Sequence, residues 1–359
     1  MIKTEDIYIL AIESSCDDTS CAILKNYYVL SNITANQSIH EQYGGVVPEL
    51  ASRDHQKNIL PVVDAALKKA NILLAQLSAI AVTRGPGLSG SLLVGLSFAK
   101  SLSLALNIPL VEVNHMQGHI LAHFIVNEIT DGGLEAGDYN QNITNQQPEF
   151  PFICLTVSGG HTQIVKVINH LNFELLAETQ DDAVGEAFDK AAKILGLPYP
   201  GGPLIDKYAQ LGDSTKYKFP MPQLKNFNYS FSGVKTSFLY FIQENMKANP
   251  QFVIDNLNDI CASYQAHLIN YLLKNLLLVA KENNIKQVAI AGGVSANSGL
   301  REGLERLGKK QLWKTFIPKL EYCTDNAAMI GIVGYYKYLN KDFADLSITP
   351  LARHLVEHK

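Results

Sequence analysis

The chain opens with short, almost unbroken apolar runs separated by tight polar punctuation. Residues 7–12 (IYILAI) form one run, which ends at Glu13-Ser14-Ser15, and a second follows at residues 21–24. This pattern predicts strand, turn, strand. Residues 79–83 (AIAVT) predict another strand, closed by Arg84-Gly85-Pro86-Gly87. From Ser89 to Leu106 the apolar positions predict a long buried helix that stops before Pro109. Its interspersed Ser, Gly and Lys suit a protein core better than a bilayer.

Residues 131–149 are polar and aperiodic, which predicts a loop or linker. A boundary here divides a first domain, 1–147, from a second, 148–359; a last helix, about 326–345, is free to pack back on the first. Directly after the linker the opening pattern recurs. FICLTVSGGHTQIVKVI has two apolar runs around Ser158-Gly159-Gly160, as YILAIESSCDDTSCAIL has around Ser14-Ser15. Two such hairpins, each opening a half of the chain, predict a duplicated domain. A third junction lies in residues 287–304, where an apolar strand ends at Gly292-Gly293 and a helix begins near Ser295 or Asn297. It reads either as an ordinary strand-to-helix loop or as a phosphate or nucleoside cradle, since glycines admit a ligand and a helix start offers free N–H groups.

Residues 181–202 predict a turn, an amphipathic helix and a Pro/Gly loop, with Gly201-Gly202-Pro203 as a helix stop. Asp189 and Lys193 are four apart and fit a surface ion pair worth tenths of a kcal/mol. The other reading gives the acidic side of Asp182, Glu186 and Asp189 to ribose hydroxyls. Residues 216–235 interleave Lys216, Lys218, Lys225 and Lys235 with Tyr217, Phe219, Phe227, Tyr229 and Phe231. Such a mixture can stack bases and hold phosphates, or its aromatics can pack on the core.

The sharpest chemical signal is Asn114-His115-Met116-Gln117-Gly118-His119. Histidines four apart share a helix face and can reach one transition-metal ion. His123 competes for a place in the pair, but it lies about 12 Å along the axis from His115. Gly118 is a point where the helix could break. A zinc-protease reading fails because Met116 stands where that motif needs a glutamate base. A third ligand must come from elsewhere. In Cys323-Thr324-Asp325-Asn326, Thr324 or Asp325 sits where a helix N-cap belongs, and Asp325 could instead present its carboxylate to an ion.

Composition narrows the partners. The 359 residues carry a net charge of −4, with 47% hydrophobic and 18% charged. That balance opposes a protein that coats nucleic acid by global charge. The five cysteines include no CxxC pair, so neither a disulfide framework nor a cysteine zinc cage is expected. The opening residues lack the basic-then-apolar signature of a signal peptide. Together these point to a reducing, cytoplasmic compartment.

Taken in order, the motifs resemble the tRNA threonylcarbamoyl transferase family, TsaD in bacteria and formerly called glycoproteases. The matching segments are AIESSCDDTS, GGVVPELASRDH, TRGPGLSGSLLVG, NHMQGH, VSGGHTQ, DDAVGEAFDKAAKILGLPYPGGP, FSGVKT, AGGVSAN and CTDNAAM, running from Ile9 to the helix after Asp325. The resemblance implies an α/β fold of two RNase H-like lobes, of the actin-like ATPase superfamily, with a nucleotide cleft between them. It implies transfer of a threonylcarbamoyl group from threonylcarbamoyl-AMP to the N6 amine of adenosine 37, in tRNAs reading codons that begin with adenine. His115, His119 and Asp325 carry over as ligands of one divalent metal per subunit, Fe2+ ahead of Zn2+. Thr156, Val157, Ser158, Gly159, Gly160, Asp189, Gly202, Asp206 and Asn297 carry over to the adenylate. Asp17 and Asp18, on the first turn, are candidates to accept the amine proton. The implied partners are a TsaB-like paralogue, a TsaE-like ATPase and tRNA, with no membrane. Two features depart from the family: Gln117 stands where it often has Glu, and the polar stretch before Pro148 reads as an insertion. The rivals are a small-molecule kinase or ATPase of the same superfamily, and a non-catalytic nucleotide-binding scaffold.

Overall fold

The computed structural model describes residues 6–126, 147–222 and 224–356. Most of the polar stretch read as linker and insertion, residues 131–146, lies outside these. The chain forms two compact units. The first comprises Met1–Pro148, Ile168–Phe173 and Thr324–Lys359; the second, Glu149–Val167 and Glu174–Cys323.

In the first unit, β1 (Tyr8–Glu13), β2 (Thr19–Lys25), β3 (Tyr28–Ala35), β4 (Ala79–Gly85) and β5 (Leu110–Asn114) form one sheet in the order β3-β2-β1-β4-β5. β1 runs antiparallel to β2 and parallel to β4. The central strands are buried on both faces, which is why they read as unbroken apolar runs rather than as alternation. Leu10, Ile12, Ile80 and Val82 pack against one layer, with Ile59, Val62 and Val63 of α1 (Pro48–Ala70) and Leu96 and Ala99 of α2 (Ser89–Leu106). α2 is apolar and long enough to cross a membrane by composition alone, but its Leu92, Leu96 and Ala99 are buried in this unit.

A further helix of the first unit, Ala327–Leu339, covers the other face of the sheet. A Cβ on its Gly334 would lie 2.5 Å from that of Ala81, and one on Gly331 would lie 2.3 Å from Leu24. Glycine thus lets helix and sheet approach closely. The short helix α3 (His115–Leu121) follows β5 directly and packs beside this one.

The second unit repeats the plan. β6 (Phe152–Val157), β7 (Thr162–Val167), β8 (Phe173–Glu178), β9 (Gln287–Ala291) and β10 (Lys314–Phe316) form a sheet in the order β10-β9-β6-β7-β8. β6 runs antiparallel to β7 and parallel to β9. The two sheets therefore share one strand order, and their three central strands, β2-β1-β4 and β7-β6-β9, share one set of directions. The helices of this unit are α4 (Val184–Ile194), α5 (Gly201–Ala209), α6 (Ser232–Ala248), α7 (Phe252–Glu282) and α8 (Ser298–Gln311). The helix Ala327–Leu339 is α9.

Two local expectations change, and one open choice closes. Gly201-Gly202-Pro203 opens α5 instead of ending α4. The junction after β9 makes one 3-10 turn, Gly293–Ala296, before α8 begins. In residues 216–235 the aromatics belong to the core: Phe219, Tyr229 and Phe231 are buried, and Tyr217 packs on Phe241 and Phe252.

Candidate metal centre and glycine turns

Asn114 caps α3, its Oδ1 accepting from the N–H groups of Met116 (2.9 Å) and Gln117 (3.3 Å). The cap starts the helix at His115, and the four-residue spacing puts both imidazoles on one side. Gly118 does not break the helix. Its bare α-carbon faces Met329 and Ile330 of α9.

Asp325 is not the cap of α9. That role belongs to Asn326, whose Oδ1 accepts from Met329 N–H at 3.0 Å. Asp325 is left to face the histidines: its Oδ1 lies 3.4 Å from His115 Nε2 and 3.2 Å from His119 Nε2. The two Nε2 atoms are 3.1 Å apart. Among the described residues these three form a group able to hold a metal ion. His123 sits beyond it, on the 3-10 turn Ala122–Phe124.

The donor set can be tested against a real ion. Ligands about 2.05 Å from a metal are separated by about 3.3 Å in a tetrahedron and about 2.9 Å for neighbours in an octahedron. Edges of 3.1, 3.2 and 3.4 Å lie at those separations. Two buried nitrogens aimed at each other at 3.1 Å repel unless a cation lies between them or one carries a proton. The protein therefore fits a divalent ion, through two imidazoles and one carboxylate.

Sequence reasoning missed the group that orients the first ligand. Glu13 ends β1, is fully buried, and accepts three hydrogen bonds. Ser15 N–H donates to Oε1 at 2.5 Å. Thr83 Oγ1–H donates to Oε2 at 2.6 Å, and His115 Nδ1 lies 3.0 Å from the same oxygen. An Nδ1–H aimed at this carboxylate leaves the His115 Nε2 lone pair for an ion. The available signal was a glutamate closing a run of four buried apolar residues, Ile9 to Ile12, a position that demands a partner.

Electrostatics follow from this packing. Burial works to lower the pKa of His115, but Asp325 and Glu13 outweigh it and raise it well above the usual histidine value. His119 is lowered by burial, its contact with Asp325 notwithstanding. Burial opposes ionisation of Asp325, yet His115 and His119 hold its carboxyl below the usual range. On the β1–β2 turn, burial and the nearby Asp17, Asp325 and Glu13 push Asp18 up to about 7. That turn is held from behind by His55. Its Nε2–H donates to Cys16 O (3.0 Å), so its Nδ1 accepts from Thr19 Oγ1–H (2.7 Å).

The remaining predicted residues gather in the second unit. Thr156 and Val157 end β6, and the turn Ser158–Gly160 follows, with Ser158 O accepting from Gly185 N–H at 3.2 Å. Among the described residues, nothing lies within 4 Å of the position a Cβ would take on Gly159 or Gly160. The loop after β9 packs on the same strand end: Gly292 has φ +87°, and a Cβ there would meet Val157 O at 2.4 Å. Among the described residues Asp189 makes no ion pair with Lys193. Its Oδ1 accepts from Gly201 N–H (2.9 Å) and Gly202 N–H (3.2 Å), which caps α5. Asp206 reaches across to the start of α8, accepting from Ser298 N–H and Oγ–H (2.9 and 2.7 Å). Asn297 caps α8 through Leu300 N–H at 3.0 Å and donates to Gln265 Oε1 at 2.7 Å.

The family model of tRNA N6-adenosine threonylcarbamoyltransferase, TsaD, matches residues 28–135 and 133–332. Curated relatives carrying that same name include one from Christiangramia forsetii, 62% identical over 98% of this chain and 99% of its own. Another, from Cytophaga hutchinsonii, is 54% identical over 98% and 97%. Among solved structures, full-length HypF in its phosphate- and nucleotide-bound form aligns with 94% of this chain and 47% of its own, at a TM-score of 0.58 and 14% identity. HypF of T. kodakarensis aligns with 95% and 50%, at 0.54 and 15%. At that identity the likeness is one of fold.

Proposed function

Because the chain belongs to the tRNA N6-adenosine threonylcarbamoyltransferase family, and so is an acyltransferase that modifies tRNA, we propose that its donor is threonylcarbamoyl-AMP and that one divalent ion, held by His115, His119 and Asp325, serves the transfer. The observation that carries this reading is the triangle of two Nε2 atoms and one Oδ1 with edges of 3.1 to 3.4 Å. Fe2+ stands ahead of Zn2+, and the nitrogen and oxygen donors suit both.

In the reaction the N6 amine of adenosine 37 attacks the carbamoyl carbon of the mixed anhydride. An N–C bond forms, the C–O bond to phosphate breaks, and AMP leaves with the electron pair. The amine must lose a proton, and the acceptor is Asp18 or its neighbour Asp17. In the metal-free protein burial and acidic neighbours push the Asp18 carboxyl up to about 7, which makes it a better base than an ordinary aspartate. When bound, the ion supplies charge neutralisation at the phosphate–carbonyl linkage. The adenylate is bound by Thr156, Val157, Ser158, Gly159, Gly160, Asp189, Gly202, Asp206 and Asn297. Gly159 and Gly160 would offer backbone N–H groups with no side chain in the way. Asp189 and Asp206 act by fixing the helix starts at Gly201 and Ser298. A TsaB-like paralogue and a TsaE-like ATPase complete the system in the cytoplasm, in keeping with five free cysteines.

The test is reconstitution with tRNA and a supply of the adenylate, reading N6-threonylcarbamoyladenosine by mass spectrometry of digested nucleosides. His119→Ala should lose both metal and product while still unfolding cooperatively. Stoichiometric metal and full product in that variant would remove the proposal.

A further inference from the structure

We propose that the C-terminal segment, residues 348–356, is a strap that holds α3 in its metal-ligating orientation, and that Gln117 is the side chain that fastens it. This rests on the metal reading above and adds to it a determinant far away in the chain. The segment first crosses the end of β4. Leu351 N–H donates to Arg84 O at 2.8 Å, Arg84 Nε–H donates to Thr349 O at 3.0 Å, and Gly87 N–H donates to Ala352 O at 3.2 Å. Lys100 Nζ donates to Ile348 O. The crossing is tight: a Cβ on Gly85, whose φ is +157°, would sit 1.9 Å from Leu351 O.

The segment then reaches the metal helix. Asn114 uses both ends of its amide: Oδ1 caps α3, and Nδ2 donates to Leu355 O (2.8 Å) and His354 O (3.2 Å). Gln117 Nε2 donates to Val356 O at 3.0 Å, and the Val356 side chain is buried. The residue just before His115 and a residue between His115 and His119 are thus both tied to residues 354–356. These bonds are buried or partly buried, where a lost partner leaves an unpaired polar group.

A backbone carbonyl can only accept, so position 117 must donate. Glutamine does this; an ionised glutamate would place a charged oxygen against Val356 O. The glutamine at this position is therefore matched to the strap, and its effect on the centre passes through α3, not through direct contact with an ion.

The test uses the full chain, Gln117→Glu, Gln117→Met and a truncation after Asp345. With Zn2+ as the probe, metal release into excess chelator is timed, and hydrogen exchange of the α3 amides is measured without metal. Each variant should release metal at least about tenfold faster, the scale of losing a partner that orients ligands. Exchange should rise at residues 116–121 and stay unchanged in β1. Release within twofold of the full chain, with unchanged exchange in folded Gln117→Glu and Gln117→Met, would overturn the strap. If the truncation does not fold, those two point variants decide. Failure of the full chain itself to take up Zn2+ would sink the metal reading first, and the strap with it.

Discussion

Replacing Glu13 with glutamine changes no shape and one charge, yet the geometry predicts a large loss of metal. The carboxylate accepts from Ser15 N–H, Thr83 Oγ1–H and the His115 Nδ1 side. A carboxamide has only one oxygen to offer. If that oxygen stays with Ser15, the NH2 faces His115 Nδ1 and forces a tautomer with its proton on Nε2, the atom required by the ion. If the amide flips, NH2 meets Ser15 N–H at a separation of 2.5 Å, donor against donor. The first arrangement puts a proton where the ion must bind, the second sets donor against donor, and neither restores the negative charge behind His115. Loss of a carboxylate that orients a ligating histidine costs about 10- to 100-fold in metal affinity, or about 1.4 to 2.7 kcal/mol. Competition against a chelator of known affinity, at fixed pH, reads this directly. Thermal unfolding of the metal-free protein checks that the sheet survives. If the folded variant bound metal within threefold of wild type, Glu13 would have no part in setting the His115 tautomer.

Other outcomes follow from the same contacts. His115 is held protonated in the metal-free protein by Asp325 and Glu13 against the effect of burial, so an ion at Nε2 must displace a proton. Metal affinity should therefore rise with pH, with about one proton released per ion near neutrality, seen by calorimetry in buffers of different ionisation enthalpy; binding indifferent to pH would contradict it. In the metal-free protein the His115 contribution to stability is full below its unfolded pKa and fades as pH rises through the raised folded value, while those of Glu13 and Asp325 fade as pH falls. Asp18, raised to about 7 by burial and its acidic neighbours, costs stability once it ionises, so Asp18→Asn should raise the metal-free melting temperature at pH 8 and leave it nearly unchanged at pH 4. Asn326→Ala removes the cap of α9 and should cost about 1 kcal/mol in chemical denaturation. Gly292→Ala meets both a left-handed φ and Val157 O at 2.4 Å; it should destabilise by about 2 kcal/mol or more, and an unchanged denaturation midpoint would refute that steric reading.

What was legible in the sequence, and what was not, divides along a physical line. β1, β4, β6 and β9 were readable because strands buried on both faces must be apolar throughout, and such runs stand out from polar turns. The duplication was readable because both hairpins obey the same rule at the same offset, and the matching strand orders follow from it. The histidine pair was readable because helical spacing is local. By contrast, one capping position lies among three consecutive polar residues, Thr324, Asp325 and Asn326, and nothing in the sequence says which side chain turns inward. Tertiary contact decides it: Asn326 takes the cap with Met329, and Asp325 turns to histidines more than 200 residues away in sequence. The ion pair offered for Asp189 and the helix stop offered for Gly201-Gly202 fail for the same reason. An aspartate and a lysine four apart suggest a pair on one helix, whereas the carboxylate finds the unpaired N–H groups of the next helix. Free N–H groups at a helix start are harder to leave unsatisfied than an exposed lysine, so the cap wins. Glu13 makes the general case. A charged residue that closes a buried apolar strand must be neutralised by whatever the fold brings to the strand end, and here the fold brings Thr83, Ser15 and His115. The place where such a side chain breaks an apolar pattern marks a site even when its partners cannot be read from the chain.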